Sequence, residues 1–335
     1  MKSNKLVNLN SLQIPVYDND PPSGSLTSPG LMWFNQTSGS IKFTYNTSGS
    51  GNVWSAGGSL IYARSLVGGA GTQNEALAIG GNATASIVAC TEEYNGSTWS
   101  EGGALIVTRF SVAGAGTQNL AVAFGGSPGN VACTEEYNGS AWAVGGALII
   151  GRSTLAGAGS QNAALAIGGN VGPSAANGVT CTEEYDGTIW STGGALITFK
   201  NHAMNAGTQN AALAAGGYSP ATPFPSTSCT EEYNGTSWNA GGALITTRAY
   251  VRGAGTQNEG LIFGGLSTPT IVSCTEKYNG SSWSTTSALI TARCSHAGAG
   301  TQNEALAFGG ASPALVTCTE EFVGPSYCIK TANFT

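Results

Sequence analysis

The string CTEEYNGSTWSEGGALI at residues 90–106 returns along the chain with small changes, and this recurrence limits the fold more than any single motif does. Its opening, Cys-Thr-Glu, stands at Cys90, Cys133, Cys181, Cys229, Cys274 and Cys318, at intervals of 43, 48, 48, 45 and 44 residues. A second phrase, Thr/Ser-Gln-Asn, begins at Thr72, Thr117, Ser160, Thr208, Thr256 and Thr301, and the two alternate strictly. A reaction centre needs its residues once, so a phrase present six times is architecture first. Self-similarity at roughly 40 to 50 residues points to a solenoid or a propeller.

The content of one unit decides between them. Ser65 to Ala70 is a small-residue run, Thr72-Gln73-Asn74 reads as a turn, and Glu75 to Ile79 is a short apolar segment stopped by Gly80-Gly81. Ala89 to Tyr94 alternates, and Asn95-Gly96 leads into Thr98 to Ile106. Asn-Gly between alternating runs predicts a type I′ hairpin turn with positive φ at both residues. The unit therefore holds four short strands and no helical period, which is the content of one propeller blade.

Gly80-Gly81 after an apolar strand, followed by Tyr94, Trp99 and Arg109, resembles the kelch repeat, and the likeness covers residues 54–322. It implies an all-β, kelch-like β-propeller of four-stranded antiparallel blades. The copies resemble one another more than kelch repeats within one protein usually do. A Trp strand follows five Cys-Thr-Glu copies, at Trp99, Trp142, Trp190, Trp238 and Trp283, and is missing after Phe322. Trp54 stands unclaimed at the front. The expected solution is a six-bladed ring whose last blade takes its outer strand from the N-terminal segment at Trp54. The alternative is a seventh blade from residues 31–61, which would lack its own innermost strand.

The repeats also form an internal alignment. The first Glu of the phrase is constant, as Glu92, Glu135, Glu183, Glu231, Glu276 and Glu320, whereas the second becomes Lys277 in the fifth copy. On a strand, Cys90, Glu92 and Tyr94 share one face, and Thr91 and Glu93 share the other. A carboxylate packed between blades needs a partner, because an unpaired buried charge is strongly unfavourable. Six of the 12 basic residues occupy one repeat position, Arg64, Arg109, Arg152, Lys200, Arg248 and Arg293. A ring of Glu–Arg pairs is expected, or Glu held by backbone amides with Arg nearby.

One Trp per unit reads as packing against the next blade, a burial that contributes on the order of 4 to 6 kcal/mol. The six in-phrase cysteines read as small buried hydrophobes. Cys294 and Cys328 fall outside the pattern and are the two open to a disulfide. His202 and His296 are not at equivalent positions and have no ligand-spaced neighbours, so neither metal nor other cofactor is expected. Asn-x-Ser/Thr at Asn95, Asn138, Asn234 and Asn279 falls in hairpin turns and reads as turn chemistry.

With 9% charged residues and a net charge of −6, the chain carries no basic cluster for nucleic acid or anionic membrane. It also shows no apolar run of signal-peptide or membrane-span length, so neither export nor insertion is expected.

The turns at Thr-Gln-Asn and Asn-Gly are nearly invariant and share one face of a blade ring. Thr-Gln-Asn reads either as a ring of amides for polar ligands or as a self-satisfied turn. The loops between Gly-Gly and Cys lie on the opposite face and vary from 6 residues (127–132) to 11 (170–180 and 218–228). Binding is expected there, with Tyr218, Pro223 and Phe224 in the longest loop and Pro173 and Asn177 in its neighbour as candidates.

Residues 1–29 read as an arm and linker, 30–53 as a β-hairpin segment turning at Thr37 to Ser40, and 54–335 as the propeller. Gly30, Trp33, Phe34, Asn35, Gly39 and Lys42 resemble short segments of bacteriophage tail-fibre and other virion proteins. That resemblance implies a non-enzymatic virion component, a tail-fibre, receptor-binding or capsid-decorating element made in the host cytoplasm. Its arm would meet other virion proteins, and its other partner would be a host surface glycan or receptor. The alternatives are a cellular kelch-type adaptor and a glycan-active enzyme, which calls for an asymmetric cluster of acids, Tyr or His.

Overall fold

Runs of Ala and Gly have no side-chain bulk to hold two strands apart, and they form the innermost layer of this protein. The computed structural model describes residues 15–21, 31–46, 51–84, 86–172, 177–218, 226–325 and 327–331, in which every regular element is a β-strand. The chain divides into two units, Asn52–Val323, and Met1–Gly51 together with Gly324–Thr335.

Among its described residues the larger unit holds six four-stranded antiparallel sheets. In the first, Gly68–Gly71, Ala76–Ile79, Thr91–Tyr94 and Trp99–Gly102 follow in chain order from inside to outside. Each inner strand lies beside those of the two flanking sheets, and Ala297–Gly300 of the sixth returns to Gly68–Gly71 of the first. Only minimal side chains permit this approach: a Cβ on Gly114 would sit 2.6 Å from the Gly69 carbonyl oxygen. The sixth sheet runs Ala297–Gly300, Glu304–Phe308, Thr319–Val323 and then Val53–Gly57, with Trp54 opposite Phe322. The front of the chain thus fills the outer position that the sixth repeat leaves open.

The Asn-Gly turns differ from the expected type I′. Gly96 has φ of 86°, but Asn95 is not left-handed, and four residues, 95–98, span the register pair Tyr94 and Trp99. The reason is local: Asn95 Oδ1 accepts the backbone N–H of Ser97 and of Thr98, at 3.0 and 2.9 Å, which holds Asn95 in an Asx turn.

The smaller unit is one sheet in the order Val16–Tyr17, Met32–Asn35, Ser40–Asn46 and Tyr327–Thr331. Asn35 pairs with Ser40 across the turn, and residues 31–46 pair within this sheet and not with Val53–Gly57. The expected boundary, which kept 54–335 together, is corrected at its C-terminal end. Val53–Gly57 already occupies the outer edge beside Thr319–Val323, so the tail strand Tyr327–Thr331 pairs with Ser40–Asn46 instead.

Candidate functional site

The constant Glu and the constant base meet in every repeat. Arg64 Nη2 lies 2.9 Å from Glu92 Oε1, and the corresponding distances are 3.0 Å at Arg109–Glu135, 3.2 Å at Arg152–Glu183, 3.4 Å at Lys200–Glu231 and 2.7 Å at Arg248–Glu276. Arg293 pairs with Glu320 in the same way. Each Glu is also held by backbone amides of the incoming segment, Ile61 N donating to Glu92 Oε2 at 2.7 Å. Each Arg caps carbonyls left open where strands end, as Arg64 Nη1 does for Gly80 O and Cys90 O at 2.8 and 2.7 Å. Both halves of the expected arrangement are present together, and all twelve side chains are buried.

The cysteines require a correction. Cys90, Cys133, Cys181, Cys274 and Cys318 are half-buried and Cys229 is exposed. The five half-buried sulfurs take hydrogen bonds from the paired arginines, 3.1 Å at Arg64–Cys90 and 2.8 Å at Arg109–Cys133, whereas Lys200 reaches only the Cys229 carbonyl. The Cys carbonyl is pinned by the guanidinium, and this carries the side chain to the rim of the pair, where burial pushes the Cys90 and Cys133 thiols up. Cys294 is a free thiol, and the Cys328 side chain lies outside the described residues.

The other constant residues join neighbouring sheets. Trp99 Nε1 donates to Thr319 Oγ1 at 2.9 Å, Trp142 to Thr91 at 3.0 Å and Trp54 to Thr275 at 3.1 Å. Gln118 Nε2 donates to Ala76 O and Tyr94 O of the preceding sheet, at 3.0 and 2.6 Å, and the other five Gln do likewise. The Gln amides of Thr-Gln-Asn are therefore engaged in the fold and not displayed for a ligand.

Tyr137 OH donates to Glu93 Oε1 of the preceding sheet at 2.6 Å, and burial, reinforced by that bond, pushes its phenol up to about 12. This contact explains two departures from the repeat at once. Where the second Glu is Lys277, the facing Tyr is Phe322, and Lys277 Nζ sits 5.0 Å from that ring, a cation–π contact in place of the hydrogen bond. We expect Lys277→Glu and Phe322→Tyr each to destabilise the ring unit. The double replacement should recover about 1 to 3 kcal/mol of coupling in a denaturant-unfolding cycle.

Of the variable-loop candidates, Pro173, Pro223 and Phe224 lie outside the described residues, Asn177 is exposed and Tyr218 is half-buried. Tyr218 belongs to a cluster that the repeats conceal. Two positions past each basic residue the backbone is left-handed: Leu66, Ser111, Thr154, His202, Tyr250 and Ser295 have φ from 52° to 55°. Backbone bonds link these positions into a closed belt. Ser111 N donates to Leu66 O at 2.8 Å, Thr154 N to Ser111 O at 3.2 Å and His202 N to Thr154 O at 3.0 Å. Val251 N donates to His202 O at 3.4 Å, Ser295 N to Tyr250 O at 3.0 Å and Leu66 N to Ser295 O at 2.7 Å. The belt fixes backbone and leaves the side chains free to differ.

Two of its members are aromatic. The His202 and Tyr250 rings are 3.8 Å apart, and Tyr218 stands edge-on to them at 6.2 and 5.6 Å. Burial, with the charge of Arg252 adding to it, lowers His202 to about 3, so it is neutral at pH 7. Burial pushes the Tyr250 phenol up to about 12. Below the belt the inner strands enclose about 30 Å³, lined by glycines, by Ala113, Val112 and Leu155, and by two polar residues, Asn205 and Arg252.

No protein-family model and no curated protein matches the sequence. Among solved structures, one titled "Structure of YjhT" is similar with a TM-score of 0.67 at 14% identity, covering 82% of this chain and 99% of that chain. The fold is β-propeller-like. At this identity the likeness concerns the fold alone.

Proposed function

We propose that the larger unit is a six-bladed, kelch-like propeller and that the protein is a non-enzymatic binding or structural component of a bacteriophage particle. The tail fibre, a receptor-binding position or capsid decoration would each suit it. The observation that carries the binding role is how the repeated polar groups are used. Gln, Trp, and Tyr with the second Glu are consumed in sheet-to-sheet bonds, and Arg with the first Glu in buried pairs inside each repeat, so individuality is confined to the variable-loop face and the belt at its centre. At that centre, His202 has aromatic neighbours and no carboxylate within hydrogen-bonding distance among the described residues, an arrangement for holding a ligand and not for acid–base turnover.

The virion assignment rests on the N-terminal unit. The Trp and Asn of the segment that resembles phage proteins both donate to Asp20, Trp33 Nε1 at 3.1 Å and Asn35 Nδ2 at 2.6 Å. The Asn35 bond leads in holding the Asp20 carboxyl below its usual range. The segment therefore builds a small folded unit separate from the ring, suited to attachment. Other virion proteins would bind through the arm, and a host surface glycan or receptor at the loop face.

The test is co-purification with particles. Deleting residues 1–29 is expected to release the protein while circular dichroism shows the ring still folded. Particle attachment by the truncated chain would overturn the assignment of the arm.

A further inference from the structure

We infer that the axial opening inside the belt is a binding site for the carboxylate of an acidic ligand, with Arg252 as its anchor. The inference rests on the reading of the ring as a binding platform and is independent of which particle carries it.

The inner strand is mostly a column of small residues, and Arg252 stands where four of the other sheets have Gly68, Ala113, Ala156 and Ala297 and the fifth has the apolar Met204. Every other arginine of the larger unit has a buried carboxylate. Arg252 has none among the described residues, and its one hydrogen bond goes to the carbonyl of its own neighbour, Val251, at 2.9 Å. Burial alone lowers its guanidinium to about 10, with no acid acting to raise it. The side chain nevertheless keeps partial solvent exposure, because it lines the axial cavity. A cation in such a place is costly without an anion, and the fold supplies anions to all its counterparts.

The second departure is in the same cavity. Asn205 takes a position that is glycine in the other five sheets, and its Nδ2 donates to Gly157 O. An amide and a guanidinium thus face one space of about 30 Å³. The planar fork of Arg matches a flat carboxylate head, to which it can donate two parallel hydrogen bonds. The rest of the ligand would lie outward against the His202–Tyr250 pair and the Tyr218 edge, aromatic surfaces with polar tips that suit the ring of an acidic sugar.

The experiment is isothermal titration of the full-length protein, in chloride-free buffer, with sodium glucuronate, sodium acetate and glucose. Glucuronate is expected to bind and glucose not. Arg252→Ala, which installs the residue that three other sheets carry, should weaken glucuronate binding by about tenfold or more. Asn205→Gly restores the repeat residue, should fold as the wild type does, and should weaken binding by a smaller factor. Acetate binding as tightly as glucuronate would identify any small carboxylate as the ligand. Tighter glucuronate binding would identify the acidic sugar, and both results support the site. No glucuronate binding by the wild type, equal binding of glucose, or unchanged affinity in folded Arg252→Ala would overturn it. Particle attachment by Arg252→Ala is read separately, so loss of this site and loss of the virion role are distinguishable.

Discussion

Replacing Arg109 by methionine is expected to cost the ring unit about 3 to 5 kcal/mol, read as a lower urea midpoint at an unchanged slope. The cost arises from what is left behind more than from what is removed. Glu135 stays buried with two amide donors, Ile106 N at 2.6 Å and Val107 N at 3.2 Å, but without a countercharge. The carbonyls of Gly125 and Cys133 also lose the donor that caps them at 3.1 and 2.7 Å. Burial already pulls the Arg109 guanidinium down, with the Glu135 carboxylate opposing it, so the pair is a balance of large terms. Arg109→Lys should cost less than Arg109→Met, because Lys200 serves the same role in the fourth sheet at 3.4 Å from Glu231. There Thr198 Oγ1 adds a hydrogen bond to the carboxylate at 2.8 Å. Combining Arg109→Met with Glu135→Leu should recover part of the loss, since it removes the orphaned charge. A single Arg109→Met variant within 1 kcal/mol (about a fivefold change in equilibrium constant) of the wild type would show that the pairs are ornamental.

Recurrence made much of this legible before any coordinates. The equal number of constant glutamates and constant bases announced the buried pairs, and the unclaimed Trp54 announced which strand sits beside Phe322. What stayed hidden follows from what a repeat can encode. A column of identical letters reports a side-chain requirement, whereas Leu66, Ser111, Thr154, His202, Tyr250 and Ser295 share only a left-handed backbone. That requirement is met by a hydrogen-bonded belt and leaves no common letter, so His202 and Tyr250 looked unrelated. Arg252 and Asn205 were hidden differently, as single departures from a small-residue column. The signal was present: two polar side chains, one of them long and charged, interrupt an Ala-Gly strand whose approach to its neighbours leaves no room for a Cβ at Gly114. The sulfurs were misread because cysteine is usually apolar core, and only the position of the guanidinium shows them as acceptors.

Replacing His296 by valine is expected to stabilise the protein at pH 7 and to flatten its acid sensitivity. His296 is fully buried, and neither ring nitrogen has a hydrogen-bond partner of good geometry. The equivalent positions in other sheets carry Val67, Val112, Leu155, Ala203 and Val251, so an apolar side chain of similar size belongs there. Removing an unsatisfied buried polar group should contribute about 1 to 3 kcal/mol. The pH effect has a definite sign. Burial, followed by the charges of Arg293 and Arg252, holds His296 well below its ordinary value, so the folded state keeps it neutral while the unfolded chain protonates near pH 6.5. Below that pH the unfolded state binds the extra proton, and stability falls as the solution is acidified. Each such histidine contributes a slope of up to about 1.4 kcal/mol per pH unit, and for His202 the window runs from about 6.5 down to about 3. Carboxylate titrations are common to wild type and variant, so the difference between their unfolding free energies isolates the histidine. That difference should widen steadily between pH 6.5 and 5 in favour of His296→Val. A constant gap across this range would mean that His296 titrates normally in the folded protein, and a less stable variant at pH 7 would mean that its nitrogens are satisfied.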